Sequence, residues 1–369
     1  MKVLFAIAHL NKGGGQAVQV LQLVRRIAPK VDGELLVLRA SGPSAITADD
    51  PEVRVVGDLR FPRGILDLRR AIRERIGTFD VLQAFDEYYS LPAARLTRAT
   101  PLVVRMGAHP VDDFGSRYGR AGRWAARAVN PWLFSGSTIV VNAAHLRSAF
   151  PGRPVVCIPN GVDSTRFHTP RDPDAARARL GLPAGVPLVA FTGKIIPRKS
   201  VDDLYWLARE LPSLHVLLIG NDQEEYYGDR YHREIRAEFP DVLSRVHAVG
   251  EVAMDQIPSH LEAADLFVFP SRLEGMPNSM LEAWAAGLPV VAADTAAHRE
   301  IVTEGTGFLY RDRPALKGLV EALISDPSRA RGVGTAGRRL VLEQYSMEAA
   351  ANRYIDLYTT VVSGSRRPR

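Results

Sequence analysis

Phe269-Pro270-Ser271-Arg272-Leu273-Glu274-Gly275-Met276-Pro277-Asn278-Ser279-Met280-Leu281-Glu282-Ala283 is the stretch whose reading decides the fold. The apolar run 266–269 reads as a buried strand and 270–275 as a turn. Pro277 suits the first position of a helix, where its missing N–H would have had no partner. The amides of Asn278, Ser279 and Met280 are then expected as free donors at the positive end of a helix dipole. Such a helix start binds an anion without a dedicated basic side chain. Glu274 lies just before the helix and Glu282 on it. Two hydroxyl-accepting carboxylates around an anion site suit a sugar nucleotide.

Outward from this stretch, the second half alternates strands with helices. Strands are expected at 188–191, 216–219, 246–249 and 290–293, and helices include 201–211 and 257–264. Past Pro314 the pattern is helical, with a break at Tyr345-Ser346 before a last helix over 347–361. The first half repeats the alternation. Strand 2–8 and a glycine turn at 11–15 lead into a helix carrying Val20, Leu23, Val24 and Ile27. Strands follow at 34–39, 53–56, 81–84, 102–104, 138–141 and 155–158. Ile65, Leu68, Ile72 and Ile76 mark an amphipathic helix, 123–134 reads as helical, and the glycine-, proline- and charge-rich 107–122 reads as a loop. The fold class is therefore α/β, with two doubly wound Rossmann-like domains facing each other across a cleft. The turn signal Pro159-Asn160-Gly161-Val162-Asp163 closes a first domain, 1–163. A polar linker, 164–185, leads to a second domain over 186–345, and 346–369 holds the final helix and a basic tail.

Composition fits this picture. The chain has 369 residues, 46% hydrophobic and 24% charged, enough for two cores and ordinary for a globular protein. The single cysteine, Cys157, excludes an intrachain disulfide and reads as a structural thiol, and no Cys/His cluster has zinc spacing. The opening apolar run is too short for a signal sequence, and no stretch approaches the ~20 apolar residues of a membrane span, so a cytoplasmic protein is expected. The net charge of +6 gathers in arginine-rich segments at 60–75, 117–127 and 365–369. These read as solvated faces or as contacts with an anionic membrane surface. No nucleic-acid module is recognisable, and no nucleic-acid partner is expected.

Other segments carry chemistry of varying specificity. Gly13-Gly14-Gly15 lets backbone approach a phosphate, or is a plain strand–helix turn; a dinucleotide fingerprint would want a glycine where Val18 stands. Thr192-Gly193-Lys194-Ile195-Ile196-Pro197-Arg198-Lys199 lacks P-loop spacing, yet puts two adjacent cations where a diphosphate would lie. A solvated basic turn is the other reading. Asp172-Pro173-Asp174 could hold a divalent metal, but capping of the helix that follows is the simpler use, and no metal is assigned. His109 and Glu87 follow first-domain strand ends.

In these residues the chain resembles the retaining, nucleotide-sugar-dependent glycosyltransferases of family four, which have the GT-B fold. Glu274 to Glu282 with their flanks match the family's Glu-x7-Glu motif, and Arg198-Lys199 resembles its basic pair. Gly13-Gly14-Gly15 resembles its N-terminal glycine loop, and Ile158-Pro159-Asn160-Gly161-Val162-Asp163 the lead into its linker. The resemblance implies an acceptor-side first domain, a donor-binding second domain, and a last helix returning to the first. It implies sugar contact by Glu274, ribose contact by Glu282, and diphosphate neutralisation by Arg198 and Lys199. Backbone contacts from Gly14, Gly15, Gly193, Gly275, Met276, Asn278, Ser279 and Met280 are also implied. His109 stands one residue beyond the family's usual His-Gly, which is Gly107-Ala108 here, so its part as the sugar-contacting histidine rests on a shifted register. Further implications are a hexose donor, uridine diphosphate as the first choice of carrier with guanosine and adenosine diphosphate as the others, retention by front-face attack, and no required metal or other cofactor. The acceptor would be a hydroxyl of a glycan, a lipid-linked species or a small molecule. A nucleotide-sugar epimerase or hydrolase of the same fold is the alternative. A second is a peripheral membrane or scaffold protein using 117–127 with Trp124, Trp132 and Phe134.

Overall fold

The computed structural model describes residues 1–10, 15–40, 53–86, 88–98, 101–167, 172–222 and 229–365. They form two units, one of residues 1–161 with 347–369, the other of residues 162–346.

The first unit runs β1 (Lys2–Leu10), α1 (Gly15–Ile27), β2 (Asp32–Ala40), β3 (Val53–Val55), α2 (Arg63–Arg73) and β4 (Val81–Ala84). It continues with α3 (Ser90–Thr97), β5 (Leu102–Met106), α4 (Pro110–Leu133), β6 (Thr138–Val141) and β7 (Val155–Cys157). Its strands are parallel, in the order β3-β2-β1-β4-β5-β6-β7. Parallel pairing demands crossovers and helices on both faces, which is why β4 and β5 are buried throughout. The stretch 107–122, expected as a loop, is instead helical from Pro110. Proline is at home in a first helical turn, and the Asp112 N–H donates to the His109 carbonyl at 3.1 Å. Gly119, at φ 63° and ψ −148°, interrupts the helical geometry, so α4 joins two helical runs across a kink. Asn160 braces this unit internally, its side-chain oxygen accepting from the buried Arg105 guanidinium.

The second unit runs α5 (Pro173–Leu180), β8 (Leu188–Thr192), α6 (Asp202–Glu210), β9 (His215–Ile219), α7 (Arg230–Glu238) and β10 (Val246–Gly250). Next come α8 (Ile257–Glu262), β11 (Leu266–Phe269), α9 (Asn278–Ala285), β12 (Val290–Ala293), α10 (Ala296–Ile301), β13 (Gly307–Tyr310), α11 (Arg313–Ser325) and α12 (Pro327–Gln344). The strand order is β10-β9-β8-β11-β12-β13, again parallel. Asp172 caps α5, accepting from the Ala175 N–H at 3.0 Å, and Arg177 ties that helix to Asp265 at 2.8 Å. The core gathers around Trp284, whose indole N–H donates to the Thr306 carbonyl at 2.7 Å.

A final helix, α13 (Met347–Ser365), packs on the first unit. Tyr354 and Tyr358 are buried in its core, and the Tyr358 hydroxyl donates to Gln83 Oε1 at 3.1 Å.

Candidate active site

The strand order of the second unit reverses direction between β8 and β11, which pair through Leu266 with Val189 and Phe267 with Ala190. Ligands of doubly wound sheets bind beyond the carboxyl ends of strands at such a switch point. The turn after β8 carries Gly193 to Lys199, and the turn after β11 carries Ser271 to Pro277, so the topology makes these segments neighbours. Glycine is needed at the first turn: Gly193 has φ 148°, and its N–H donates to the Ile219 carbonyl at 2.9 Å. Gly220 crosses it so closely that a Cβ there would lie 1.9 Å from the Gly193 carbonyl oxygen.

The two turns are stitched together. The Arg272 N–H donates to the Arg198 carbonyl at 2.9 Å, and Arg198 Nη1 donates to the Leu273 carbonyl at 3.3 Å. Lys199, in a short 3-10 turn, points its ammonium at Glu274 Oε1, which also accepts from the fully buried Ser271 hydroxyl. The Lys199 and Glu274 side chains are only 11% and 10% exposed. The ammonium also lies 4.9 Å from the Phe269 ring centre, a cation–π contact. Burial lowers the Lys199 pKa, and Glu274 pulls it back up.

Beneath this pair is a hub that sequence reading missed. Asp203, at the start of α6, accepts from Arg272 Nη2 at 2.8 Å, the Tyr310 hydroxyl at 3.0 Å and Arg313 Nε at 2.8 Å. Arg313 Nη2 also reaches Asp202 at 2.7 Å. The available signal was Asp202-Asp203 opening a helix, which reads equally well as dipole compensation. His298 was missed too. It is fully buried against Phe269, with Nδ1 2.6 Å from the Ala293 carbonyl and, among the described residues, no hydrogen-bond partner for Nε2.

The start of α9 departs from expectation. Pro277 is the cap rather than the first helical residue, and the Met280 N–H donates to its carbonyl at 3.0 Å. The Asn278 N–H donates to the Met276 carbonyl at 3.0 Å. A tight first turn thus uses two of the three amides expected as free donors, and the Ser279 N–H is the remaining one. Glu282 lies on α9, part-buried, and among the described residues no hydrogen bond reaches its carboxylate. Burial pushes its pKa up to about 7, with the Arg166 guanidinium pulling the other way. A cleft of about 200 Å³ is lined by Arg166, Asp255, Pro258, Ser259 and Ala286. Ala286 is one helical turn from Glu282, on the same face of α9.

The structure thus brings Gly193, Arg198, Lys199, Glu274, Gly275, Met276, Asn278, Ser279, Met280 and Glu282 to one edge of the second unit. His109 and Gly15 belong to the first unit. His109 caps α4 after the end of β5, its Nδ1 3.3 Å from Asp112 Oδ2, and Gly15 opens α1 after β1. Gly13, Gly14 and Glu87 lie outside the described residues. Among the described residues, no group of three or more His, Cys, Asp or Glu side chains is placed to hold a metal.

Two Rossmann-like parallel sheets, the second bearing a basic turn beside a Glu-x7-Glu turn, define a glycosyltransferase of the GT-B class. Residues 186–326 match the family model Glycosyl transferases group 1. The chain is 30% identical over 329 residues to a GDP-mannose-dependent alpha-(1-6)-phosphatidylinositol monomannoside mannosyltransferase of Mycobacterium tuberculosis, covering 82% of each chain. It is 31% identical over 227 residues to a GDP-mannose-dependent monoacylated alpha-(1-6)-phosphatidylinositol monomannoside mannosyltransferase of Corynebacterium glutamicum. There the match spans 57% of this chain and 58% of the relative. Among solved structures, sucrose-phosphate synthase from Thermosynechococcus elongatus shares the fold at TM-score 0.84 and 22% identity, over 98% of this chain and 99% of that one. HepE of Anabaena, in complex with UDP and glucose, does so at 0.83 and 20%, over 98% and 100%. The chain belongs to the group 1 glycosyltransferases.

Proposed function

We propose that the protein moves a hexosyl unit, mannose first among the choices, from a nucleoside diphosphate sugar to a hydroxyl acceptor. The observation that carries this reading is the Lys199–Glu274 pair at the β8/β11 switch point, with Glu282 one face of α9 away and unbonded. Glu274 would exchange its bond from Lys199 for sugar hydroxyls, which turns the ammonium and Arg198 toward the diphosphate. Charge that grows on the leaving phosphate then meets fixed cations, and interactions stronger in the transition state than in the ground state accelerate transfer. Glu282 would accept from the ribose hydroxyls. A nucleoside held there extends into the cleft past Ala286.

The names of the mannosyltransferase relatives support guanosine diphosphate as the carrier, in place of the uridine diphosphate that the family resemblance implies. They equally support a lipid-linked acceptor. Retention by front-face attack and independence of added metal complete the proposal, with His109 as a sugar contact from the first unit. Thermal-shift screening of GDP-mannose, UDP-glucose and ADP-glucose, followed by product analysis with and without acceptor, tests it. Stabilisation by GDP-mannose, and an α-linked product that survives EDTA and is lost in Lys199→Ala, are expected. Turnover of donor alone to a free or epimerised sugar, undiminished by acceptors, would instead identify a hydrolase or epimerase.

A further inference from the structure

Residues 114–162 contain six arginines and no aspartate or glutamate. Much of this one-sided charge is displayed on α4 beyond its kink. Arg120, Arg123 and Arg127 are exposed there, while Gly122, Ala126 and Leu133 face the core. The opposite face carries Trp124, 75% exposed, and Trp132, 51% exposed, at positions i and i+8 with Ala128 between them. Val129 and Pro131 add apolar surface, and α4 has no aspartate or glutamate after Asp113. Two features steady the end of the helix. The Arg95 guanidinium lies 5.9 Å from the Trp132 ring centre, and Arg153 Nη2 donates to the Pro131 carbonyl at 2.9 Å.

Two tryptophans left in water are a poor arrangement for a purely solvated helix. Indole rings flanked by arginines suit the boundary between headgroups and acyl chains, where the ring body is apolar and the edge donates a hydrogen bond. A helix with one such face lies in the plane of the interface. An aromatic ladder continues the face inward: Tyr118, 59% exposed, is 5.9 Å from Phe114, which stacks on Tyr88 at 4.7 Å.

We propose that this face of α4 docks on an anionic lipid bilayer, with the tryptophans at headgroup depth and the arginines on lipid phosphates. The paired signals of charge and aromatic surface complement such a membrane. A nucleic-acid strand would want a basic groove tracking its backbone, whereas here the rings stand on a single helix face filled in by alanine, valine and proline. The assignment is independent of the donor chemistry, because its readout is binding and not turnover.

Sedimentation of the full chain with vesicles of phosphatidylcholine carrying about a third phosphatidylglycerol tests it. Expected are binding at low salt, at least tenfold weaker binding to pure phosphatidylcholine, and release as salt screens the arginines. Arg120→Gln/Arg123→Gln/Arg127→Gln and Trp124→Ser/Trp132→Ser should each lose binding at least tenfold. Their circular dichroism and nucleotide-sugar thermal shift should stay unchanged, since every changed side chain is exposed and the Arg153 bond to the Pro131 carbonyl still holds the helix end. A blue shift of tryptophan emission on vesicles should vanish in the tryptophan variant. Absence of binding to the anionic vesicles overturns the proposal, as does binding that both variants retain. A concentration-dependent dimer abolished in Trp124→Ser/Trp132→Ser would overturn it in favour of a protein contact.

Discussion

The Lys199 ammonium donates to the Glu274 carboxylate although 75 residues separate them. Each group is nearly buried, so each depends on the other for its charge to be tolerated. Removing one member of such a pair leaves an uncompensated charge, which costs more than removing both. Glu274→Gln is therefore expected to destabilise the apo protein by roughly 3 kcal/mol, a melting-point loss on the order of 6–10 °C. The double variant Lys199→Met/Glu274→Gln should recover part of that loss. A double-mutant cycle by thermal melting measures the coupling. If Glu274→Gln melted with the wild type, the ammonium would have to be solvated from elsewhere and the pair would be unimportant to the fold.

Asp203 holds the turn after β11 from below through Arg272, and its carboxylate also accepts from Tyr310 and Arg313. Asp203→Asn keeps the shape and removes the charge that two guanidiniums share. Arg272 also sets the turn, since its own N–H bonds the Arg198 carbonyl. Loosening that turn misplaces Arg198 and Lys199 without touching the substrate. The expected result is a loss of roughly 10- to 100-fold in kcat with a smaller change in KM, the pattern of a positioning residue. An unaltered kcat in Asp203→Asn would remove the hub from any part in catalysis.

These relationships mark where sequence reading succeeds and where it stops. The strands 81–84, 138–141 and 266–269 were legible because a buried parallel strand is a short apolar run, too short for a helix and bounded by turn residues. The stretch 107–122 was not, because its proline and glycines occupy tolerated places, a first turn and a kink, and propensity cannot see which. Glu274 and Glu282 could be found as a motif. That Lys199 meets Glu274 follows from strand order, which no local window contains. Glu282 was legible as a carboxylate but its burial was not, and the bonding of the Asn278 and Met280 amides depended on one turn tightening around Pro277. Gly220 illustrates the same limit: its need for glycine comes from the Gly193 carbonyl, 27 positions away in a different strand end. Gly220→Ala should accordingly cost stability by roughly 2 kcal/mol or more, seen as a lower melting point.

A second pair makes stability depend on pH. His215 Nδ1 and His247 Nε2 are 3.0 Å apart on the neighbouring strands β9 and β10, so one ring must be neutral to accept. Burial lowers both pKa values, and for His215 the charges of His247, Arg245 and Arg177 lower it further. A histidine whose folded pKa lies below its unfolded value adds stability above that unfolded value of about 6.5, and loses it as pH falls through the folded one. This pair should therefore pull the melting point down as pH is lowered from 7.5 toward 5, against the opposing gain from Glu282, and in a Glu282→Gln background His247→Gln should flatten the fall. Differential scanning calorimetry at closely spaced pH values checks it; an equal slope in the variant would assign the acid sensitivity to other groups.

Glu282 titrates in the opposite sense. Its pKa, raised by burial from 4.5 to about 7, means that the folded chain holds a proton the unfolded chain has released. The apo protein thus gains stability from this group at low pH and loses it as pH rises through about 7. Donor binding through the proposed ribose contact would have the reverse demand, because a carboxylate accepts two ribose hydroxyls only when ionised. A nucleotide sugar is the proper probe: its phosphates are esterified on both sides, whereas a free diphosphate also titrates near pH 6 and would confuse the reading. Affinity for GDP-mannose should rise about tenfold between pH 6 and pH 8, following the ionised fraction of a group with its midpoint near 7. Glu282→Gln should bind more weakly at pH 8 and show no such rise. Isothermal titration across that range in both proteins decides the matter: a wild-type affinity flat in pH, or a Glu282→Gln profile as steep as the wild type, would take the ribose contact away from Glu282.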